Sequence, residues 1–336
     1  MPTVALLSAA HIHAPNFIKR MNDRPDVRVK YVWDDNAERG KKAAEQLGAE
    51  TAELYDILAD SDIDAVIICS ETNKHEDLVL PAVNAKKHMF VEKPLGFASG
   101  DAYLMAKAIN DAGLIFQTGF FSRGFPYHQF LKEQIEQGNF GKITRIRHSN
   151  CHQGSLAGWF DTDWRWMADP EIAGVGAFGD LGAHSLDILL WLMGDVEAVT
   201  ASMNIVTGRY EGCDETGEGM LKFKNGAIGT LAAGWVDTVH PFRLQISGTE
   251  GHAIVMGDQL YFQSQHVEGS DIKEVWTDLP EALSHAFELF FDALAGKDVP
   301  LISASEAAYE NAVMEAFYKA AASNSWVAPA SVEASN

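Results

Sequence analysis

Within the first 120 residues, short apolar runs alternate with helical patterns, and that rhythm leaves few folds open. The stretch Ile63–Ser70, IDAVIICS, is short, β-branched and bounded by polar residues, as a strand buried on both faces is. Further strands are expected over Val4–Ser8, Asp26–Asp34, His88–Pro94 and Leu114–Phe120. Helical patterns fall between them, over Pro15–Asn22, 36–49 (closed near Gly48), 76–87 and about Asp101–Ala112. Strand and helix in alternation predict a doubly wound parallel sheet.

After residue 121 the rhythm changes. A helix over 127–138 precedes an alternating strand over 142–150, and another helix is expected from Asp180 to Met193. Strand-like runs follow over 196–206, 218–235, 242–256 and 259–264, with turns at Asn225-Gly226 and Gly248–Gly251. Strands in series imply a largely antiparallel, open sheet with one face free. The stretch 303–323 reads as an amphipathic helix with a serine cap. A chain of 336 residues suits two units of this size, expected at 1–121 and 122–336. The fold class is therefore α/β: a parallel doubly wound sheet followed by an α+β unit.

Composition narrows the partners. There are 47 acidic against 26 basic residues, a net charge of -21. A field of that sign repels phosphate backbones and anionic lipid, so neither nucleic acid nor membrane is an expected partner. The three cysteines, Cys69, Cys151 and Cys213, are widely separated, which suggests reduced thiols and a cytoplasmic setting. No apolar run approaches the roughly 18–20 residues that span a bilayer.

Ligands of open parallel sheets bind at the carboxyl ends of strands, so those ends hold the candidate chemistry. A dinucleotide fold places G-x-G-x-x-G after the first strand, but here those positions are Ser8, Ala10 and His13. Ser8 and Ala10 are small enough for close approach, and the helix N-terminus still offers N–H groups. His11, Ile12 and His13 complete the turn, with His11 or His13 expected beside the ligand. Asp34 lies near the distance at which an acid binds ribose hydroxyls, and with Asp35 it would repel a 2′-phosphate. Solvated turn aspartates are the simpler alternative. Ser70, Thr72, Asn73 and His75 follow the central strand, and Glu92-Lys93-Pro94 follows another; a polar capping loop would explain the first group equally well. Asp180 and His184, four apart, share a helix face. An imidazole of ordinary pKa, about 6.5, can exchange a proton near neutrality. Glycines 174, 176, 179 and 182 would let backbone approach a ligand there.

Taken together, the order and spacing of these motifs resemble the glucose–fructose oxidoreductase / inositol 2-dehydrogenase / MocA-like family over essentially the full length. The likeness rests on Asn73 and His75, Glu92-Lys93-Pro94, Trp164-Arg165, Asp180-Leu181-Gly182-Ala183-His184 with Asp187, and Gly248-Thr249-Glu250-Gly251. It implies a Rossmann unit, an NAD(P) cofactor (NAD preferred over NADP, from Asp34 and Asp35), and hydride transfer at a hydroxyl or keto carbon of a sugar, glycoside or polyol. It implies Lys93 on the reacting oxygen, His184 as general base or acid, and Asp180 holding both. Trp164 and Arg165 are expected against cofactor and substrate, and Arg123 against substrate. A homodimer or homotetramer through the second sheet is implied too. Two alternatives stay open: an NAD-using glycosidase, and a non-catalytic NAD- or sugar-sensing regulator. His11-x-His13 has no further ligand nearby in sequence, so no metal is expected.

Overall fold

The computed structural model describes residues 1–331; residues 332–336, the end of the expected second unit, lie outside them. The first sheet is formed by β1 (Thr3–Leu7), β2 (Arg28–Trp33), β3 (Glu50–Thr51), β4 (Ala65–Ile68), β5 (His88–Val91) and β6 (Phe116–Thr118). All are parallel, in the order β3-β2-β1-β4-β5-β6. Order reverses between β1 and β4, so the crevice beyond their carboxyl ends is where such a sheet receives a ligand. Helices α1 (Ala14–Asn22), α2 (Ala37–Leu47), α3 (Leu54–Ala59), α4 (His75–Asn84) and α5 (Ser99–Asp111) connect the strands. Gly48 closes α2 in the left-handed region, as its position suggested.

The second sheet contains β7 (Ile143–Cys151), β8 (Val196–Asn204), β9 (Thr216–Phe223), β10 (Ile228–Gly234), β11 (Phe242–Gly248), β12 (Gly251–Met256) and β13 (Gln259–Ser264). Its order is β13-β12-β11-β7-β10-β9-β8, antiparallel except where β7 meets β10. Helices α6 (Pro126–Glu136), α7 (Gly154–Ala157), α8 (Pro170–Ala173) and α9 (Ala177–Met193) accompany it, followed by α10 (Ala286–Leu294) and α11 (Ala304–Ser323). Ser303 and Glu306 form a capping box on α11. Helix α9 lies on the sheet's inner face and is buried almost throughout. In β9 the buried positions alternate with exposed ones, as a sheet wet on one side requires.

Close packing on that inner face is unforgiving. A Cβ on Gly219 of β9 would stand 2.4 Å from the Phe317 ring. Gly219→Ala is therefore expected to destabilise the fold by about 1–3 kcal/mol in a denaturant titration.

Helix α10 does not stay with the sheet that precedes it. Phe287, Phe290 and Phe291 enter the core beneath the first sheet, where Phe287 stacks on Phe17 at 4.3 Å and meets Phe90 edge-on at 4.9 Å. Helix α11 bridges both cores, with Ala307, Ala308 and Ala312 against the first and Val313 and Phe317 against the second.

Candidate active site

The parallel sheet delivers three segments to its carboxyl edge: the turn after β1, the loop after β4 and the Glu92-Lys93 pair after β5. Helix α9 arrives from the other side. Lys93, 3% exposed, donates from Nζ to the Asp180 Oδ1 at 2.5 Å and to the Asp180 carbonyl at 3.3 Å. Trp235 donates its indole N–H to the other carboxylate oxygen at 3.1 Å. Burial alone would raise the Asp180 carboxyl, but the adjacent Lys93 ammonium holds it well below the usual carboxylate range.

His184 lies one turn along α9 from Asp180 and is buried against Phe120 and Phe121, with ring centroids 6.0 and 5.3 Å away. Its Nδ1 is enclosed and has no hydrogen-bond partner among the described residues. The expectation of an ordinary imidazole pKa is corrected here. Burial, reinforced by the Lys93 charge, pushes His184 well below its usual value, so the ring is neutral at pH 7.

Helix α9 begins at Ala177, three residues before the expected start. Asp214 accepts the Phe178 N–H at 2.7 Å, while the Tyr318 hydroxyl receives the N–H groups of Gly176 and Gly179. The glycines are required by this packing. A Cβ would strike Phe97 from Gly174, Asp214 from Gly176, Val175 from Gly179, and would crowd Leu231 and Met314 from Gly182.

In the turn after β1, Ser8 takes the left-handed conformation (φ 67°) natural to the glycine it stands in for. Ala10 is buried, and its carbonyl accepts the Trp166 indole N–H at 3.1 Å. His13 stands at the N-cap position of α1 but turns its side chain away from the helix, its Nδ1 lying 2.9 Å from Glu92 Oε1. The buried His11 brings its Nδ1 to 3.7 Å from the same oxygen. Glu92 is fully buried, and its other oxygen accepts the Lys93 N–H at 2.8 Å. Gly119 makes room for this carboxylate, since a Cβ there would lie 2.6 Å from Glu92 Oε2. Both imidazoles thus face inward, beside Lys93. Ile12 instead packs against the core of the second sheet.

Other expected residues are engaged elsewhere. Asp34 is wholly enclosed, accepting the Ala9 N–H at 2.8 Å and two bonds from Arg39 at 2.8 and 2.7 Å. Asp35 pairs with Arg39 and Lys74. The two acids therefore do not present bare charge, because two cations offset them. His75 sits under the Lys93-Pro94 loop, its Nδ1 3.1 Å from the carbonyls of Pro94 and Leu95, so it anchors that loop. Ser70 donates to the Glu71 carbonyl, Thr72 is buried and Asn73 is exposed. Arg123 is clamped by Asp187 (2.6 Å) and Glu306 (2.7 Å). Arg165 bonds the Ala168 carbonyl and covers the Tyr210 ring, and Trp164 packs against the second core. Trp166, two residues on, is the tryptophan that reaches the turn after β1; its ring lies 5.9 Å from His11. Nothing local distinguishes Trp164 from Trp166, and Trp235 is signalled only by its place at the end of an apolar strand.

Comparison with known proteins agrees with this architecture. Residues 4–120 match the oxidoreductase family with an NAD-binding Rossmann fold, and residues 128–254 match the GFO/IDH/MocA C-terminal domain. Myo-inositol 2-dehydrogenase of Thermotoga maritima is 31% identical over 230 residues, covering 66% of this chain and 64% of that enzyme. The chain thus spans a little under two thirds of that relative. The scyllo-inositol 2-dehydrogenase (NAD(+)) of Bacillus subtilis is 27% identical over 308 residues, covering 87% of this chain and 85% of its own. A solved levoglucosan dehydrogenase, in complex with NADH and levoglucosan, superposes with a TM-score of 0.82 at 22% identity, covering 98% of this chain and all of that one. The two matched domains adjoin in the order seen here and together span most of the sequence: the chain belongs to the GFO/IDH/MocA family of NAD-binding oxidoreductases.

Proposed function

We propose that this protein is an NAD-dependent dehydrogenase that moves a hydride between the nicotinamide and a hydroxyl or keto carbon of a sugar, glycoside or polyol. The observation that carries the reading is the buried Lys93–Asp180 pair, with neutral His184 on the same face of α9, at the carboxyl edge of a parallel sheet. Residues 1–121 would hold the nucleotide and 122–336 the substrate. The residues present fit a dinucleotide: Ser8, Ala9 and Ala10 are small, and a cavity of about 210 Å³ opens beside His13 and Phe121. Bound there, the nicotinamide supplies the acceptor for the hydrogen and electron pair leaving carbon.

The chain does the rest. The Lys93 ammonium, held by Asp180, hydrogen-bonds the reacting oxygen and stabilises its developing negative charge. Neutral His184, one turn along α9 from Asp180, accepts the hydroxyl proton in oxidation and returns it in reduction. Trp159, 42% exposed with its ring 4.6 Å from His152, supports a stacking face for the C–H surface of a sugar.

NAD is the favoured nucleotide. The donors of Arg39 are directed to Asp34, Asp35 and Glu71, which leaves a poor ligand for a 2′-phosphate. The cell compartment is read as cytoplasmic from the three free cysteines. No helix among the described residues is long and apolar enough to cross a membrane. Assembly is read as a homodimer or homotetramer through the second sheet, which exposes Met220 and Ile228.

Titrating the protein with NADH and then NADPH, by energy transfer from tryptophan to the reduced nicotinamide, tests the reading. NADH is expected to bind at least about tenfold tighter, a difference of about 1.4 kcal/mol. Turnover of a sugar and polyol panel with NAD should follow. No saturable signal from either nucleotide would overturn the assignment and favour a sensor that uses the fold without the cofactor. Sugar cleavage with no net NADH formed would favour the glycosidase alternative.

A further inference from the structure

We propose that His11, His13 and Glu92 form a binding site for one divalent transition-metal ion of the zinc class. One ligand atom from each residue lies within 4.8 Å of the others, and among the described residues no other three His, Cys, Asp or Glu side chains converge in this way. Sequence spacing supplied only two imidazoles; the fold brings the carboxylate from the end of β5. Two imidazoles and a carboxylate are a donor set suited to zinc and its neighbours, and three protein ligands leave a position open for water or a substrate oxygen.

The surroundings are built for a cation. Glu92 is fully buried, bonded to the Lys93 backbone N–H and the His13 ring, with the His11 Nδ1 3.7 Å away and accepting the His13 backbone N–H. The Lys93 ammonium is taken by Asp180, so those two charges cancel and Glu92 leaves the cluster negative. A buried carboxylate needs a counter-charge nearby. The ligands are positioned from outside: the Lys93 N–H orients the carboxylate, Trp166 pins the turn, and the two imidazole centroids are 4.7 Å apart. The inference stands on these contacts and does not depend on the dehydrogenase reading. A plain His13–Glu92 ion pair, with no metal, is the competing account.

The test uses the whole protein, stripped with a chelator and then titrated with Co²⁺ alone. One equivalent per chain is expected, with visible absorption of four- or five-coordinate cobalt, displaced by Zn²⁺. His13→Ala and His11→Ala should each weaken binding by about 100-fold or more. His266→Ala, at an exposed His266–Glu250 pair, should leave it unchanged. No stoichiometric uptake by the unaltered protein, or unchanged affinity in both histidine variants, would overturn the site. Should those variants fail to fold in circular-dichroism melts, zinc-soaked crystals of the unaltered protein decide. An anomalous peak among the three side chains supports the site, and its absence there refutes it.

Discussion

Between pH 6.5 and 4 this protein is expected to unfold. His11 is buried and lowered to about 3, and His128 to about 4; His148 and His184 are pushed well down by the same burial. A histidine whose folded pKa is depressed contributes stability that is fully present above its unfolded value of about 6.5 and lost as pH falls, because the unfolded chain takes up the proton first. At about 1.4 kcal/mol per pH unit, His11 and His128 each give up on the order of 3 kcal/mol by pH 4. Glu310 opposes the trend: its buried carboxyl is raised well above normal, so acid relieves a cost it imposes at neutrality. Asp187 and Asp214, raised by burial too, oppose it in the same sense. The four buried imidazoles outweigh these carboxyls, and the net loss is large against a total stability of about 5–15 kcal/mol. Melting temperatures by circular dichroism should fall steeply from pH 7 to 5. A flat profile over that range would show that these imidazoles are not buried neutral.

Lys93→Met should give the largest single-residue effect on turnover, a fall of about 10³-fold in kcat, because it removes the ammonium that the proposal places on the developing oxyanion. It should also destabilise the fold by about 3–5 kcal/mol, since Asp180 is left buried without its partner. The two effects separate in a double variant. Lys93→Met with Asp180→Asn removes the stranded charge and should recover much of the stability while turnover stays low. A double variant as unstable as the single one would mean that the ammonium stem, rather than the ion pair, supports the fold. Turnover near that of the unaltered enzyme in either variant would remove Lys93 from the reaction.

The first sheet was legible because parallel strands buried on both faces write continuous β-branched runs, and Ile63–Ser70 holds β4 at its centre. β3 has only two residues, too few to make a pattern, and neither it nor α3 was foreseen. The apolar stripe of α10 has no local meaning, because its partners Phe17 and Phe90 lie far off in sequence. The site followed the same divide. Side chains spaced within one element, such as Asp180 and His184, were readable together. Asp34 could be placed at its strand end, but its enclosure by Arg39 and the Ala9 N–H depends on how α2 packs. Arg123 was readable as a cation beside the cleft, yet Asp187 and Glu306, which hold it, come from two distant helices.

The return of α10 to the first sheet has a consequence for how the protein is made. Phe17 and Phe90 are covered by Phe287, which is made about 200 or more residues after them. The nucleotide-binding half therefore carries an unfinished greasy face until α10 has left the ribosome. A nascent chain in that condition is a natural client for chaperones, and the nucleotide half can complete its fold only once α10 has emerged.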